Sequence, residues 1–205
     1  MITPAAGNES TSHPPSDPPF DLFARLKAET AVIHQQTEAR VPVFEPEFDL
    51  AAYVRLLERF YGYWVPIEAE FVKIPALHHA DLDLAGRLKT ALLMDDLRIL
   101  GRDPAAVPLC DRLPPVDTLA RALGCLYVLE GSSLGARFIS RRLAEHLELS
   151  STNGASFFNA YGGATGERWS QFKAFAIPRV GEDDASEAIE SARETFQYFY
   201  DWLGA

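Results

Sequence analysis

His34 shares one helical stripe with residues that suit a metal-bound imidazole. In the stretch LKAETAVIHQQTE (Leu26–Glu38) and the turn before it, an advance of roughly 100° per residue puts Phe23, Lys27, Thr30, His34 and Glu38 on the same side of a helix. At 1.5 Å per residue, Lys27 stands about 10 Å before His34, and Glu38 follows one turn after it. A histidine that ligates a metal commonly donates its other ring N–H to a carboxylate, which fixes the tautomer and orients the ring, and Glu38 is spaced to accept it. The same spacing also describes an ordinary core histidine, facing inward and paired with a carboxylate one turn on. A second group lies in LEGSSLGARF (Leu129–Phe138), where Gly131 and Gly135 sit one turn apart inside a helical pattern. Each costs about 1 kcal/mol relative to alanine there, so the backbone they bare should serve another purpose. With Gly124 two turns earlier on the same face, they would admit a large flat group to near-contact with the peptide units. The alternatives are close helix–helix packing through small residues, or a bend.

These groups need helices to hold them, and the periodicity supplies helices throughout. Pro18 and Pro19 suit a helix start, and Phe20, Phe23, Leu26, Thr30, Ile33 and Thr37 recur at spacings of three and four, predicting a first helix to about Ala39. A second runs from Asp49 to about Lys73, with Pro66 expected to kink or break it. A third fills Asp81 to Leu100 and ends at Gly101. The longest spans Val116 to about Leu149 and contains both glycines. A glycine-rich connection, NAYGGATG, leads to a fifth helix from near Thr165, and a sixth covers Glu182 to Leu203 with Ile189, Phe196, Phe199 and Trp202 among its apolar positions. No useful period-2 alternation is present, so the fold class is all-α. Residues 1–17 are rich in Pro, Ser and Thr and poor in large apolar groups, which predicts a disordered tail before a single helical domain over 18–205.

Composition narrows the function. A chain of 205 residues with 47% hydrophobic residues can bury one sizeable core. Its formal net charge of −10 disfavours a nucleic-acid or anionic-membrane partner, since affinity for phosphates comes from clustered Lys and Arg. The chain shows neither an apolar run long enough for a membrane span nor a signal-peptide pattern, and a cytoplasmic location is expected. The two cysteines, Cys110 and Cys125, have no CxxC spacing and read as reduced and structural. A di-iron oxidase would want Glu-x-x-His pairs on facing helices, but His13 is in the tail, His78 and His79 fall between helices, and His146 stands alone after Glu145. A thiaminase-like enzyme would want a nucleophilic cysteine, and Cys125 has no histidine near it in sequence.

The first motif closely resembles the proximal-helix motif of heme oxygenases. The second, LYVLEGSSLGARF, resembles the distal-helix motif of their bacterial members, including the type that supplies biliverdin to phytochromes, and FFNAYGGATGERWSQF is similar to the segment that follows it there. The resemblance covers most of residues 20–203. It implies a multi-helix fold with heme b, both substrate and prosthetic group, between proximal and distal helices. By that resemblance His34 is the iron ligand, Glu38 its carboxylate partner and Lys27 a propionate partner, with Arg168 and Lys173 as alternatives. Gly131 and Gly135 would be the distal glycines that approach heme and oxygen. Ser132 stands where animal members carry an aspartate that organises distal waters, which leaves Ser132, Ser133 or Arg137 to take part in proton delivery and Arg137 also as a heme contact. The family reaction consumes O₂ and electrons and yields biliverdin, carbon monoxide and ferrous iron. A histidine ligand pushes less toward O–O cleavage than a thiolate does. The chain carries no flavin or dinucleotide fingerprint, so a ferredoxin or ferredoxin reductase partner is implied. The basic group Arg137, Arg141 and Arg142 would receive it, unless it is only a solvated helix face. A bacteriophytochrome is the expected recipient of product. A non-catalytic heme carrier or sensor of the same fold would keep His34 and the glycines.

Overall fold

Side-chain caps set where the helices begin. The computed structural model describes residues 20–205, so the tail expected over 1–17 lies outside the described residues. Asp21 accepts from the Ala24 amide and opens α1 (Leu22–Glu38), later than Pro18 and Pro19 suggest. Asp49 does the same for α2 (Leu50–Phe71) through the Ala52 amide. Thr118 caps α4 (Leu119–Leu147), which ends at Glu148 in the left-handed conformation. The remaining helices are α3 (Thr90–Ile99), α5 (Thr165–Ala176) and α6 (Ala185–Leu203). Among the described residues there is no strand, and no described helix is long and apolar enough to cross a membrane.

Two expectations fail for identifiable reasons. Pro66 does not break α2. A proline removes an N–H and strands the carbonyl four residues earlier, and here that carbonyl, on Gly62, accepts from the Cys110 amide at 2.9 Å. Gly62 permits the approach, because a Cβ there would stand 2.5 Å from the Pro108 carbonyl oxygen. The third block is also not one helix from Asp81. A single 3₁₀ turn covers Ala85–Arg87, and α3 starts only at Thr90, where the Glu68 carboxylate of α2 accepts from the Lys89 and Thr90 amides at 2.7 and 2.9 Å.

The sixth helix is the floor of the molecule. Both α1 and α4 pack along α6, whereas α1 and α4 do not pack along each other. Gly124 is fully used in this packing: a Cβ would stand 2.0 Å from the Ala188 carbonyl oxygen of α6. It is therefore a close-approach glycine between helices, unlike the exposed backbone expected of it. Tyr63 of α2 donates to the Thr195 carbonyl at 2.7 Å and Trp202 to the Arg59 carbonyl at 2.8 Å, locking α2 onto α6. The aromatic rings of Phe60, Trp64, Phe157 and Phe199 form the centre of the core, with edge-on contacts of 5.1–5.5 Å.

Candidate functional site

The candidate cleft is the space over α6 between α1 and α4, two helices that both pack on α6 but not along each other. At one end Phe23 of α1 meets α4 and α5, its ring lying 5.9 Å from Tyr127 and 5.7 Å from Trp169. At the other end Arg142 Nε donates at 3.3 Å to the carbonyl of Val43, in the segment that follows α1. Tyr127 and Arg142 are 15 positions apart, about 22 Å along α4. Between these two ties neither helix is covered by the other, and this interval holds His34 on α1 and Gly131 and Gly135 on α4.

His34 does not face the core. Its side chain is 51% exposed, and its ring lies 5.2 Å from that of Phe196, a buried residue of α6. The reading of an inward-facing core histidine is therefore wrong. Glu38 stands 3.5 Å from His34 Nε2, longer than a good hydrogen bond, so the ring is restrained only lightly and can present a nitrogen to the cleft. Lys27 is exposed on the same helix, while Thr30 between them is buried, its hydroxyl donating to the Leu26 carbonyl.

On α4, helix packing does not account for the two distal glycines. A Cβ at Gly131 would meet only the Trp169 ring, at an ordinary 3.9 Å, and one at Gly135 would meet nothing within 4 Å. Leu134 and Phe138 lie on or beside the same stripe and are 40% and 55% exposed. The two glycines thus leave backbone bare on α4, bordered by exposed apolar side chains, and His34 on α1 is also exposed. Sequence reasoning missed Leu134 and Phe138 as wall residues, although both stand in the quoted stretch and Phe138 falls seven positions after Gly131.

The remaining predicted residues are spread over α4 and α5. Ser132 is exposed and its hydroxyl donates to the Leu129 carbonyl at 2.7 Å. Ser133 and Arg137 occupy the flank of α4 that faces residues 157–165, where they line a shallow depression with Asn159, Tyr161 and Thr165. The Arg137 guanidinium lies 4.6 Å from the centre of the Phe138 ring. Arg141 pairs with Glu145, and Arg142 is spent on Val43, so the basic group is not a free patch of three. Arg168 is likewise engaged, with Asp83 at 2.9 Å, while Lys173 is half-buried on α5.

Neither rival chemistry finds its groups. No cluster of three His, Cys, Asp or Glu able to hold a metal ion occurs among the described residues. His78 bonds the Val72 carbonyl, and His79 stands beside Asp81. Cys125 is fully buried, and burial pushes its thiol up to about 12, so it carries no thiolate near neutrality.

Comparison with known proteins places this chain in a family. The family model for heme oxygenase matches residues 20–205, and the chain belongs to the heme oxygenase family, oxidoreductases that take heme as both substrate and prosthetic group. It is 31% identical over 182 residues to the heme oxygenase PigA of Pseudomonas aeruginosa, covering 87% of this chain and 89% of that protein. It is 33% identical over 131 residues to the heme oxygenase of Xanthomonas campestris pv. campestris, covering 58% of this chain and 69% of the relative. Its fold superposes on the NO- and CO-bound heme oxygenase from Neisseria meningitidis with a TM-score of 0.72 at 25% identity, over 89% of each chain. The heme oxygenase from Leptospira interrogans shares the fold at the same TM-score with 17% identity, over 90% of this chain and 98% of that one.

Proposed function

We propose that heme enters between α1 and α4, with His34 as the iron ligand and the Gly131–Gly135 backbone as the opposite wall. The observation that carries this reading is the pair of helix-interior glycines that no close packing explains, with open space over Gly135 and only the Trp169 ring at 3.9 Å over Gly131. Bound heme supplies the iron at which O₂ is reduced and the macrocycle that is cleaved, giving biliverdin, carbon monoxide and ferrous iron. The chain's own residues bind and orient. Glu38 takes the imidazole N–H that faces away from iron, Lys27 pairs with a propionate at the cleft edge, and Phe196 supports the imidazole from below. Gly131 and Gly135 leave space for heme and diatomic ligand, Leu134 and Phe138 cover apolar ring edge, and Arg137 borders the wall. Ser132, whose hydroxyl is already bonded to the Leu129 carbonyl, orders water beside Gly131 and so supports proton delivery. Electrons come from a ferredoxin or ferredoxin reductase, the reaction proceeds in the cytoplasm of a bacterium, and biliverdin can pass to a bacteriophytochrome.

The test is a hemin titration followed by reductant under air. A saturable Soret band that decays as red bilin absorption grows is the expected result. A stable Soret band would instead mark a carrier. The His34→Ala variant should lose the coordinated spectrum while its heme-free fold is retained, because an exposed side chain contributes little packing. Coordinated heme in that variant would overturn the assignment.

A further inference from the structure

Behind the glycine wall lies a buried charged cluster that none of the roles above uses. Glu130, one residue before Gly131, accepts from Lys89 Nζ at 2.7 Å and from the Tyr161 hydroxyl at 2.7 Å through one oxygen, and from Arg87 through the other. The side chains of Glu130, Arg87 and Lys89 are at most 4% exposed. Arg87 also donates to the carbonyls of Leu82 at 2.6 Å and Arg168 at 3.2 Å, and Lys89 Nζ to the Arg87 carbonyl at 3.3 Å. One carboxylate on α4 thus ties the segment before α3, the glycine-rich connection and, through Arg87, α5 to the peptide unit next to Gly131. The nearby Glu68 carboxylate accepts from the Lys89 and Thr90 amides and so fixes the backbone that carries Lys89.

A cluster of this kind is a poor device for stability alone, since well-packed apolar residues of the same volume would serve as well or better. It is also a poor proton relay. Burial raises the Glu130 carboxyl, but Lys89, Arg87 and the Tyr161 hydroxyl together outweigh it and hold the group below its ordinary value. The Tyr161 phenol is pushed far up by burial and by Glu130. Neither changes protonation near neutrality, so the bonds are permanent. The wall itself needs an anchor of this sort. Gly131 and Gly135 have no side chains to pack, and on their side of α4 a Cβ would meet only the Trp169 ring, so their position has to be set by neighbouring residues of the helix.

We propose that Glu130 is a positioning residue: through Arg87, Lys89 and Tyr161 it sets where the Gly131–Gly135 backbone stands in the cleft opposite His34. The proposal rests on the reading of that stretch as the distal wall. It is tested on the ferrous heme complex by the CO dissociation rate, with Glu130→Gln removing the charge and Tyr161→Phe removing only the hydrogen bond from the uncharged donor. Both variants should keep stoichiometric heme binding through His34 yet shift CO dissociation by about 2- to 30-fold, the range typical of residues that couple to a site without touching its ligand. Rates within twofold of the parent, with only the melting temperature lowered, would reduce the cluster to a brace and overturn the proposal. If Glu130→Gln does not fold, Tyr161→Phe decides alone. Gly131→Val separates the two levels. A CO rate that moves in this variant but not in Tyr161→Phe defeats the proposal and leaves the wall. A rate unmoved by Gly131→Val removes the wall and the proposal with it.

Discussion

Three glycines of α4 share one stripe but face different surroundings, and alanine substitution should separate them. Gly135 is helical and a Cβ there would meet nothing within 4 Å, so alanine removes the entropic cost of glycine at no steric cost. Gly135→Ala should raise the melting temperature of the heme-free protein, by about 0.5–1 kcal/mol of stability, while slowing heme turnover. Gly124→Ala places a methyl against the Ala188 carbonyl and should lower the melting temperature by an overpacking cost of about 1–3 kcal/mol. Opposite shifts in thermal scans are the expected outcome, and equal shifts would mean that the wall is packed like the helix contact. Cys125 offers a further residue-level check. With its thiol pushed up to about 12, it should resist iodoacetamide at pH 8 in the native state and react only on unfolding.

At the scale of elements, α2 passes through Pro66 because the loop at Cys110 takes up the carbonyl that proline leaves unpaired. Pro66→Ala should therefore change stability by about 1 kcal/mol or less in a denaturant titration, well short of the ~3 kcal/mol that proline costs in an ordinary helix interior. The join between α3, α4 and the 157–165 connection depends on an ionised Glu130. Its folded-state pKa lies below the unfolded value, so the unfolded chain takes up the proton first. The stabilisation is complete above the ordinary carboxylate pKa and is lost as pH falls through the lower folded value. Melting temperature plotted from pH 6 down to pH 3 should fall more steeply for the parent than for Glu130→Gln, and parallel curves would mean that Glu130 does not titrate in that window.

For the whole molecule, the proposed site makes heme a layer between α1 and α4, which both pack on α6 but not along each other. Ligand that binds only the folded state stabilises by about 2.7 kcal/mol at a hundredfold excess over Kd. Heme should therefore raise the melting temperature. It should also slow amide hydrogen exchange selectively over residues 30–40 of α1 and 128–142 of α4, leaving α2 and α3 little changed. Uniform protection along the chain would argue for binding elsewhere. The basic group of α4 is less concentrated than its sequence suggests, since Arg141 pairs with Glu145 on the surface and Arg142 donates to the Val43 carbonyl.

The all-α class and six helices were legible in the sequence because they rest on local periodicity, which neighbouring residues determine, and the two motifs proposed to face heme were legible through their resemblance to the family. His34, Gly131 and Gly135 could be singled out for the same reason. What packing decided was which glycines are bare. Gly124 and Gly131 are indistinguishable by spacing, and only the position of Ala188 on α6 assigns one to a helix contact and the other to a cleft. The passage of α2 through Pro66 likewise depends on a loop some forty residues away, and the Glu130 cluster on partners 31 to 43 positions distant. A buried charge becomes recognisable only when the groups that offset its desolvation are in place, and that is a property of the tertiary structure.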